Sequence, residues 1–417
     1  MVPDIHDPLL CRIDKGNLQS LTIAHRPQIK YLLPSPRGYV SADASLCQTP
    51  MRLTRCEASS AHGPSLTYGA YFNGIRDVIS KDGYKLFVHA IGRRLKRQIV
   101  LSDIEAVLIY GEKHGSDYHP ARIEVLAQDT RLCFVMNVAV TARGTARLCH
   151  EYDVLQHLDR KYDFFFLPHP YFKEEASCHL DRHGKKDTLA TMFLADWFQG
   201  YYEFHLSKDK EVGSQKLVLW DTEKGHQYLS RQQAWHLYRQ GAMILTLYYD
   251  METFEQIFPW HHAAGDFVVR TQGDGLDMKL VTARQYAPMV DPSTGVSAHE
   301  ALLLFLLNLS VRMRLDRLDG VAAVTWADSE CLGAIVEGFV EGLRTKEQKG
   351  MIPTGFGNDF LGRCAHLARR HLADRFRALV DACNQGAPDM PVIGRHLESH
   401  IQEFHLVLQE ASRRKLA

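Results

Sequence analysis

The pattern of apolar and polar positions changes character near residue 195. Residues 1–62 show little periodicity. Pro27, Pro34, Pro36, Pro50 and the run Ala58-Ser59-Ser60-Ala61 predict a loosely ordered extension with a few short strands. From 66 onward, short apolar runs alternate with turn signals. Strands are predicted over 68–72 and 84–88, parted by Lys81-Asp82-Gly83, and then over 106–110, 122–126 and 133–140. A polar turn over 111–120 joins two of them. One helix is predicted over 147–158, with Leu148, Tyr152, Leu155 and Leu158 on one face. Further strands at 163–167 and 189–194 complete an antiparallel sheet carrying one helix.

Beyond 195 the spacing becomes mostly helical. Ser230, followed three residues later by Gln233, has the form of a capping box. It opens a long helix predicted over 232–258. Two short strands, 267–269 and 278–282, are joined by Gly273-Asp274-Gly275. Helices are then predicted over 298–316, 328–345, 359–385 and 393–413, with breaks at Gly320, Pro353-Thr354-Gly355 and Gly386-Ala387-Pro388. No internal repeat or low-complexity tract stands out.

Composition narrows the classes of function. Apolar residues make up 45% of the 417 and charged residues 24%, the balance of a globular protein with a sizeable core. Lys+Arg and Asp+Glu both number 49, so there is no basic surplus to displace counterions from nucleic acid in general. Nine cysteines lie scattered from Cys11 to Cys383 with no C-x-x-C pair, a usage that fits reduced thiols and predicts a cytoplasmic protein. Met1 to His6 does not begin a signal peptide. The most apolar run, 301–307, is too short to span a bilayer, which takes roughly 20 residues, so no membrane span is expected.

The chemistry concentrates at Ile257 to Arg270, I-F-P-W-H-H-A-A-G-D-F-V-V-R. Two histidines, a glycine and an aspartate fill a tight turn before an apolar strand. Ionisable groups are costly in such a place unless they are used. Asp266 suits a hard cation such as Mg²⁺ or a base. The plainer alternative is a carboxylate that caps the turn. His261 and His262 suit proton transfer or a transition metal, or are structural histidines. His205, in Glu203-Phe204-His205, is a further candidate to join them. His396 and His400 stand four apart on a predicted helix and His405 follows; the spacing can bind zinc but lacks the H-E-x-x-H order, and a solvated helix face is the reading preferred. Arg93-Arg94-Leu95-Lys96-Arg97 is a local basic patch.

The order of elements, a sheet lobe with a helix after its third strand and then a helical lobe with a two-strand insert, resembles the protein-kinase-like superfamily, which includes choline, aminoglycoside and lipopolysaccharide core kinases. The resemblance spans roughly 66–345. It implies an α+β, bilobal fold with an antiparallel sheet N-lobe and a mainly helical C-lobe. On it, 1–62 is an extension, 63–195 the N-lobe, 196–350 the C-lobe and 351–417 a C-terminal helical extension. The stretch 107–126 resembles the phosphate-covering hairpin, with Gly111, Lys113 and Gly115 in its turn. The stretch 134–140 resembles the strand that carries the nucleotide lysine, with Asn137 as its polar residue. Glu151 stands where that lysine's carboxylate partner lies. Lys113 or Arg122 would supply the displaced cation. The stretch 192–205 resembles the hinge, with Trp197 and Gly200 at the crossing.

His261-His262-Ala263-Ala264-Gly265-Asp266 resembles the catalytic loop. It places Asp266 at the metal-binding asparagine and His261 at the catalytic aspartate. Thr282 falls where a second metal carboxylate belongs, and Arg284 could grip a phosphate. Three of the usual charged residues are therefore replaced. The expected protein is a regulatory pseudokinase that binds ATP or another nucleotide, with Mg²⁺, or a small phosphorylated ligand or protein partner, in an interlobe cleft. Three alternatives stand beside it. One is an atypical Mg²⁺-dependent phosphotransferase. The others are a metal-dependent enzyme using His261, His262 and Asp266, and an interaction scaffold.

Overall fold

The computed structural model describes residues 26–36, 38–51, 66–112, 117–179, 187–208, 213–221, 224–260, 265–320 and 322–416, with the side chains of 414–416 excepted. The chain is α+β and forms two compact units. One comprises Met1–Cys149 and Pro170–Trp197; the other comprises His150–His169 and Phe198–Ala417.

The first unit is built on a seven-stranded sheet. Its strands are β1 (Gln28–Ser35), β2 (Gly38–Ser41), β3 (Ile104–Gly111), β4 (His119–Ala127), β5 (Thr130–Ala139), β6 (Pro170–His179) and β7 (Asp187–Asp196), in the spatial order β2-β1-β3-β4-β5-β7-β6. The sheet is mixed rather than antiparallel throughout, because β1 runs parallel to β3. The strands predicted within 106–140 and at 189–194 are present. A short helix, α1 (Ala44–Cys47), follows β2.

The segment expected as two strands at 68–72 and 84–88 is instead helical, α2 (Tyr68–Leu95). Its aromatic and β-branched content misleads, because propensity yields to packing. The buried set Tyr71, Phe72, Ile75, Val78 and Ile79 recurs with helical period, and it continues at Phe87, Ala90 and Ile91. These side chains fill the core against Val107, Ile109, Ile123, Val125, Phe134 and Met136 on one sheet face. The Thr67 side chain caps the helix by accepting from the Ala70 N–H at 3.2 Å. The turn foreseen at Lys81-Asp82-Gly83 does interrupt the helix: Asp82, Gly83 and Tyr84 have φ of 50°, 68° and 71°.

Helix α3 (Ala142–Lys161) follows β5, and the chain passes from the first unit to the second within it. The strand expected at 163–167 is absent. Phe164 and Phe166 instead offer carbonyls to the Tyr248 hydroxyl and the Leu280 N–H.

The second unit carries more strand than its pattern suggested. A three-stranded sheet forms from β8 (Phe204–Lys208), β9 (Gln215–Asp221) and β10 (Gly225–Tyr228). Helix α4 (Arg231–Leu247) opens with both halves of the Ser230/Gln233 capping box. It ends eleven residues before the expected limit, and β11 (Glu255–Ile257) then pairs with β14 (Tyr286–Pro288). The expected hairpin is β12 (Phe267–Gln272) with β13 (Gly275–Leu280). Helices α5 (Ala298–Arg312), α6 (Cys331–Gln348), α7 (Phe356–His366), α8 (Arg369–Asp381) and α9 (Met390–Leu416) follow, with a small β15–β16 hairpin (Leu315–Arg317, Val324–Trp326) after α5. The single helix expected over 359–385 is two, α7 and α8. Helices α4 and α6 approach so closely that a Cβ at Gly338 would stand 1.9 Å from the Arg239 carbonyl oxygen.

No helix of the described residues is long and apolar enough to cross a membrane.

Candidate functional site

In the second unit, hairpin register assembles the site. Phe267 of β12 faces Leu280 of β13, and the Val281 N–H donates to the Asp266 carbonyl at 2.8 Å. The residues after β13 are thereby brought beside the Gly265-Asp266 turn. Asp266 is 2% exposed. Both its oxygens accept from Arg284, Nη1 at 2.6 Å and Nη2 at 2.5 Å. This is the fork-on-fork geometry that makes arginine–carboxylate pairs strong and directional. Arg284 remains 43% exposed at its side chain, against 3% for Asp266. The sequence paired neither residue with the other.

Thr282, two residues before Arg284, is 7% exposed, and its hydroxyl donates to Glu151 of α3, which is 3% exposed. Glu151 thus accepts a hydrogen bond from the residue that the resemblance sets at the second metal position. Arg147, one turn earlier on α3, pairs with Asp117, as does Arg143.

A carboxylate not singled out in the sequence joins this turn. Tyr202 and Val269 exchange two backbone hydrogen bonds of 2.9 Å, which sets Glu203 beside Gly265. Gly265 has φ +79°, and a Cβ on it would stand 2.9 Å from a Glu203 carboxylate oxygen. Glycine therefore serves twice here, for backbone conformation and for this approach. Glu203 Oε2 lies 3.9 Å from His205 Nε2, and His205 Nδ1 lies 3.4 Å from the buried Asp316 carboxylate. The Trp220 ring packs on the imidazole at 4.4 Å. Burial opposes a proton on His205, but hydrogen bonds to Asp316 and Glu203 outweigh it and hold its pKa up to about 8. His205 thus reaches Gly265 only by way of Glu203. The only hint of Glu203 was the alternation Glu203-Phe204-His205 next to a predicted strand. His261 and His262 lie outside the described residues.

In the first unit, the sheet face away from α2 carries Arg122. Its guanidinium lies 3.7 Å over the Tyr110 ring and bonds Glu112 at 3.0 Å; Glu124 is 3.5 Å away. Glu112 also accepts from the Tyr39 hydroxyl at 2.9 Å. Burial and Glu112 push Tyr39 up to about 12. Burial works against the Arg122 charge, yet its bonds to Glu112 and Tyr39 more than offset this and raise its pKa. Arg122 is thus held by acids rather than offered as a lone cation. Asn137 is two residues from Val135, which faces Arg122 across β4–β5, so Asn137 shares that sheet face. Lys113 lies outside the described residues.

Mg²⁺ fits this donor set poorly: both Asp266 oxygens already serve a guanidinium, and Thr282 offers a hydroxyl bonded to Glu151. Among the described residues no group of three or more His, Cys, Asp or Glu could hold a metal ion. The histidines of α9 take other partners. His400 is fully buried and accepts at Nδ1 from Arg314 at 3.1 Å. Its Nε2 faces the Ser310 hydroxyl at 3.0 Å, and that hydroxyl donates to the Leu307 carbonyl, so Nε2 carries the proton. Burial, with Arg314 next, lowers His400 to about 3. His405 Nε2 bonds the Leu367 carbonyl at 3.0 Å.

A groove of about 840 Å³ in the second unit is lined by residues including Leu206, Leu217, Trp235, Tyr238, Val336 and Val340; Asp266, Arg284, Glu151 and Thr282 are not among them. No protein-family model matches this chain, and no curated protein matches it either.

Proposed function

We propose that this protein is a kinase-like pseudoenzyme, a regulatory protein that binds a nucleotide or another phosphorylated ligand without efficient transfer. The observation that carries the reading is the two-point Arg284–Asp266 pair. The resemblance assigns Asp266 to the metal, and here a resident guanidinium neutralises that carboxylate. Thr282 at the second metal position, tied to Glu151, points the same way. Phosphoryl transfer depends on metal-ion electrostatics and positioning, so this arrangement favours holding a ligand over turning it over. The element order supports it too: β3, β4 and β5 lie in sequence, helix α3 follows, and β6–β7 complete the sheet.

The test is thermal stability of the full chain with ATP, ADP and other nucleotides, in Mg²⁺ and in chelator. Ligand binding raises the midpoint by mass action. The reading expects stabilisation by a nucleotide that survives chelation, with no phosphate released or transferred. Stabilisation that needs Mg²⁺, with turnover lost in Asp266→Ala, would replace it with a phosphotransferase. Response to Zn²⁺ or Mn²⁺ alone would point to the metal-dependent enzyme. No response to any of them would leave the scaffold.

A further inference from the structure

The basic run near residue 95 lies in solvent at the C-terminal end of α2 and just past it. Between Asp82 and Asp103 the chain has no carboxylate, and it carries Lys85, His89, Arg93, Arg94, Lys96 and Arg97. Lys85, His89 and Arg93 recur every fourth residue on α2, and Lys96 is its left-handed C-cap. All six are exposed. The opposite face of the same helix, Phe87, Ala90 and Ile91, is buried in the core of the first unit. At 1.5 Å per residue the row from Lys85 to Lys96 runs about 16 Å. Arg94 is paired with Asp196 at 3.2 Å. Just past the row, Val100 is an exposed apolar side chain at 59%.

We propose that this face of α2 docks on an anionic phospholipid surface. The argument is charge complementarity on a flat row. Four to eight Lys and Arg gathered on one helix face match anionic headgroups, which can move to meet each cation. The face fits nucleic acid less well. No Phe, Tyr or Trp on it is exposed to stack on bases, and the chain as a whole has no basic surplus. Val100 adds an apolar contact at the headgroup boundary, where such helices seat their hydrophobic side chains. The inference does not depend on the pseudoenzyme reading, since every residue it uses is on α2 or just beyond it.

Sedimentation of the full chain with vesicles tests it. Phosphatidylcholine vesicles with about a third phosphatidylserine are compared with phosphatidylcholine alone, at low and at physiological salt. The expected result is binding to the anionic vesicles only, weakened by salt, and reduced at least about tenfold in Lys85→Glu/Arg93→Glu/Arg97→Glu. The milder Lys85→Gln/Arg93→Gln/Arg97→Gln guards against misfolding and should lose binding to a smaller degree. No binding to anionic vesicles overturns the proposal. So does equal binding by the folded variants, and so does loss of RNA binding in the variants with vesicle binding absent.

Discussion

Arg284 holds Asp266 through two parallel hydrogen bonds, 2.6 and 2.5 Å long, with the carboxylate buried and the guanidinium partly in solvent. The pair fixes the segment after β13 to the turn before β12, so the candidate site and the local fold rest on the same contact. Arg284→Ala should take the two-point guanidinium contact away from the buried Asp266 carboxylate, and breaking a pair with a buried charge costs on the order of 3 kcal/mol. Asp266→Asn should cost less, because the neutral amide still accepts a bond. Urea unfolding of both variants and of the double variant measures the coupling. Additive losses would mean that the pair is incidental.

Close packing of α4 on α6 makes a second prediction. A Cβ at Gly338 would meet the Arg239 carbonyl oxygen at 1.9 Å, and a backbone atom inside a helix cannot give way. Gly338→Ala should cost at least about 3 kcal/mol, the upper end for overpacking. Gly362 on α7 has nothing within 4 Å of the same position. Gly362→Ala should therefore stabilise by about 0.5–1 kcal/mol through helix propensity. Chemical denaturation ranks the two, and a mild Gly338→Ala would refute the contact.

His205 should make stability depend on pH. Its folded pKa of about 8 lies above the unfolded value near 6.5. A raised histidine contributes fully below the unfolded pKa, and the contribution fades as pH rises through the folded one. The groups facing it are Asp316 on β15 and Glu203 ahead of β8, with Trp220 on β9 against the ring. Between pH 6.5 and 8 the wild type should lose about 1.3 kcal/mol that His205→Gln does not lose, and about 2 kcal/mol over the full range from well below 6.5 to well above 8. The difference between the two unfolding curves isolates the residue, and parallel curves would remove His205 from the account.

What the sequence disclosed and what it hid have physical reasons. The Ser230/Gln233 box and the β12–β13 hairpin were visible because their signals are local: a side chain three residues from its partner, and a glycine pair in a turn. The β3–β5 meander was visible through alternation, although its β4–β5 turn uses Gln128 and Asp129 at positive φ instead of glycine. Helix α2 was missed because Tyr, Phe, Val and Ile suit strands, and the sheet face that makes them helical is distant in sequence. At the site, Asp266 and Arg284 each stood out in the sequence as charged residues. Their mutual pairing did not, because it depends on hairpin register. Glu203 reaches Gly265 only through the Tyr202–Val269 bridge, and no motif announces a bridge across so many residues.

Lys346 on α6 gives a pH effect of opposite sign. The residue is 2% exposed, and its ammonium donates to the Tyr249 carbonyl at 2.5 Å. The Tyr162 ring lies 5.6 Å away. Burial lowers its pKa from 10.5 to about 8; Asp250 opposes this, and Lys161 adds to it. Asp250 itself is engaged by Lys161 at 2.7 Å and by two backbone N–H groups, so Lys346 gains little from it. In this case the unfolded chain binds the proton more tightly, so the penalty is present below pH 8 and is relieved as pH rises toward 10.5. The wild type should therefore gain stability across that window, by up to about 3 kcal/mol before tyrosine ionisation intervenes. Lys346→Met keeps the volume and removes the charge. At pH 7 it should be more stable than the wild type by about 1–2 kcal/mol, the relieved desolvation less one orphaned carbonyl bond. Its stability should also be flat where the wild type's rises. A Met variant that is less stable at pH 7 would show that the Tyr249 bond outweighs the cost of burying the ammonium.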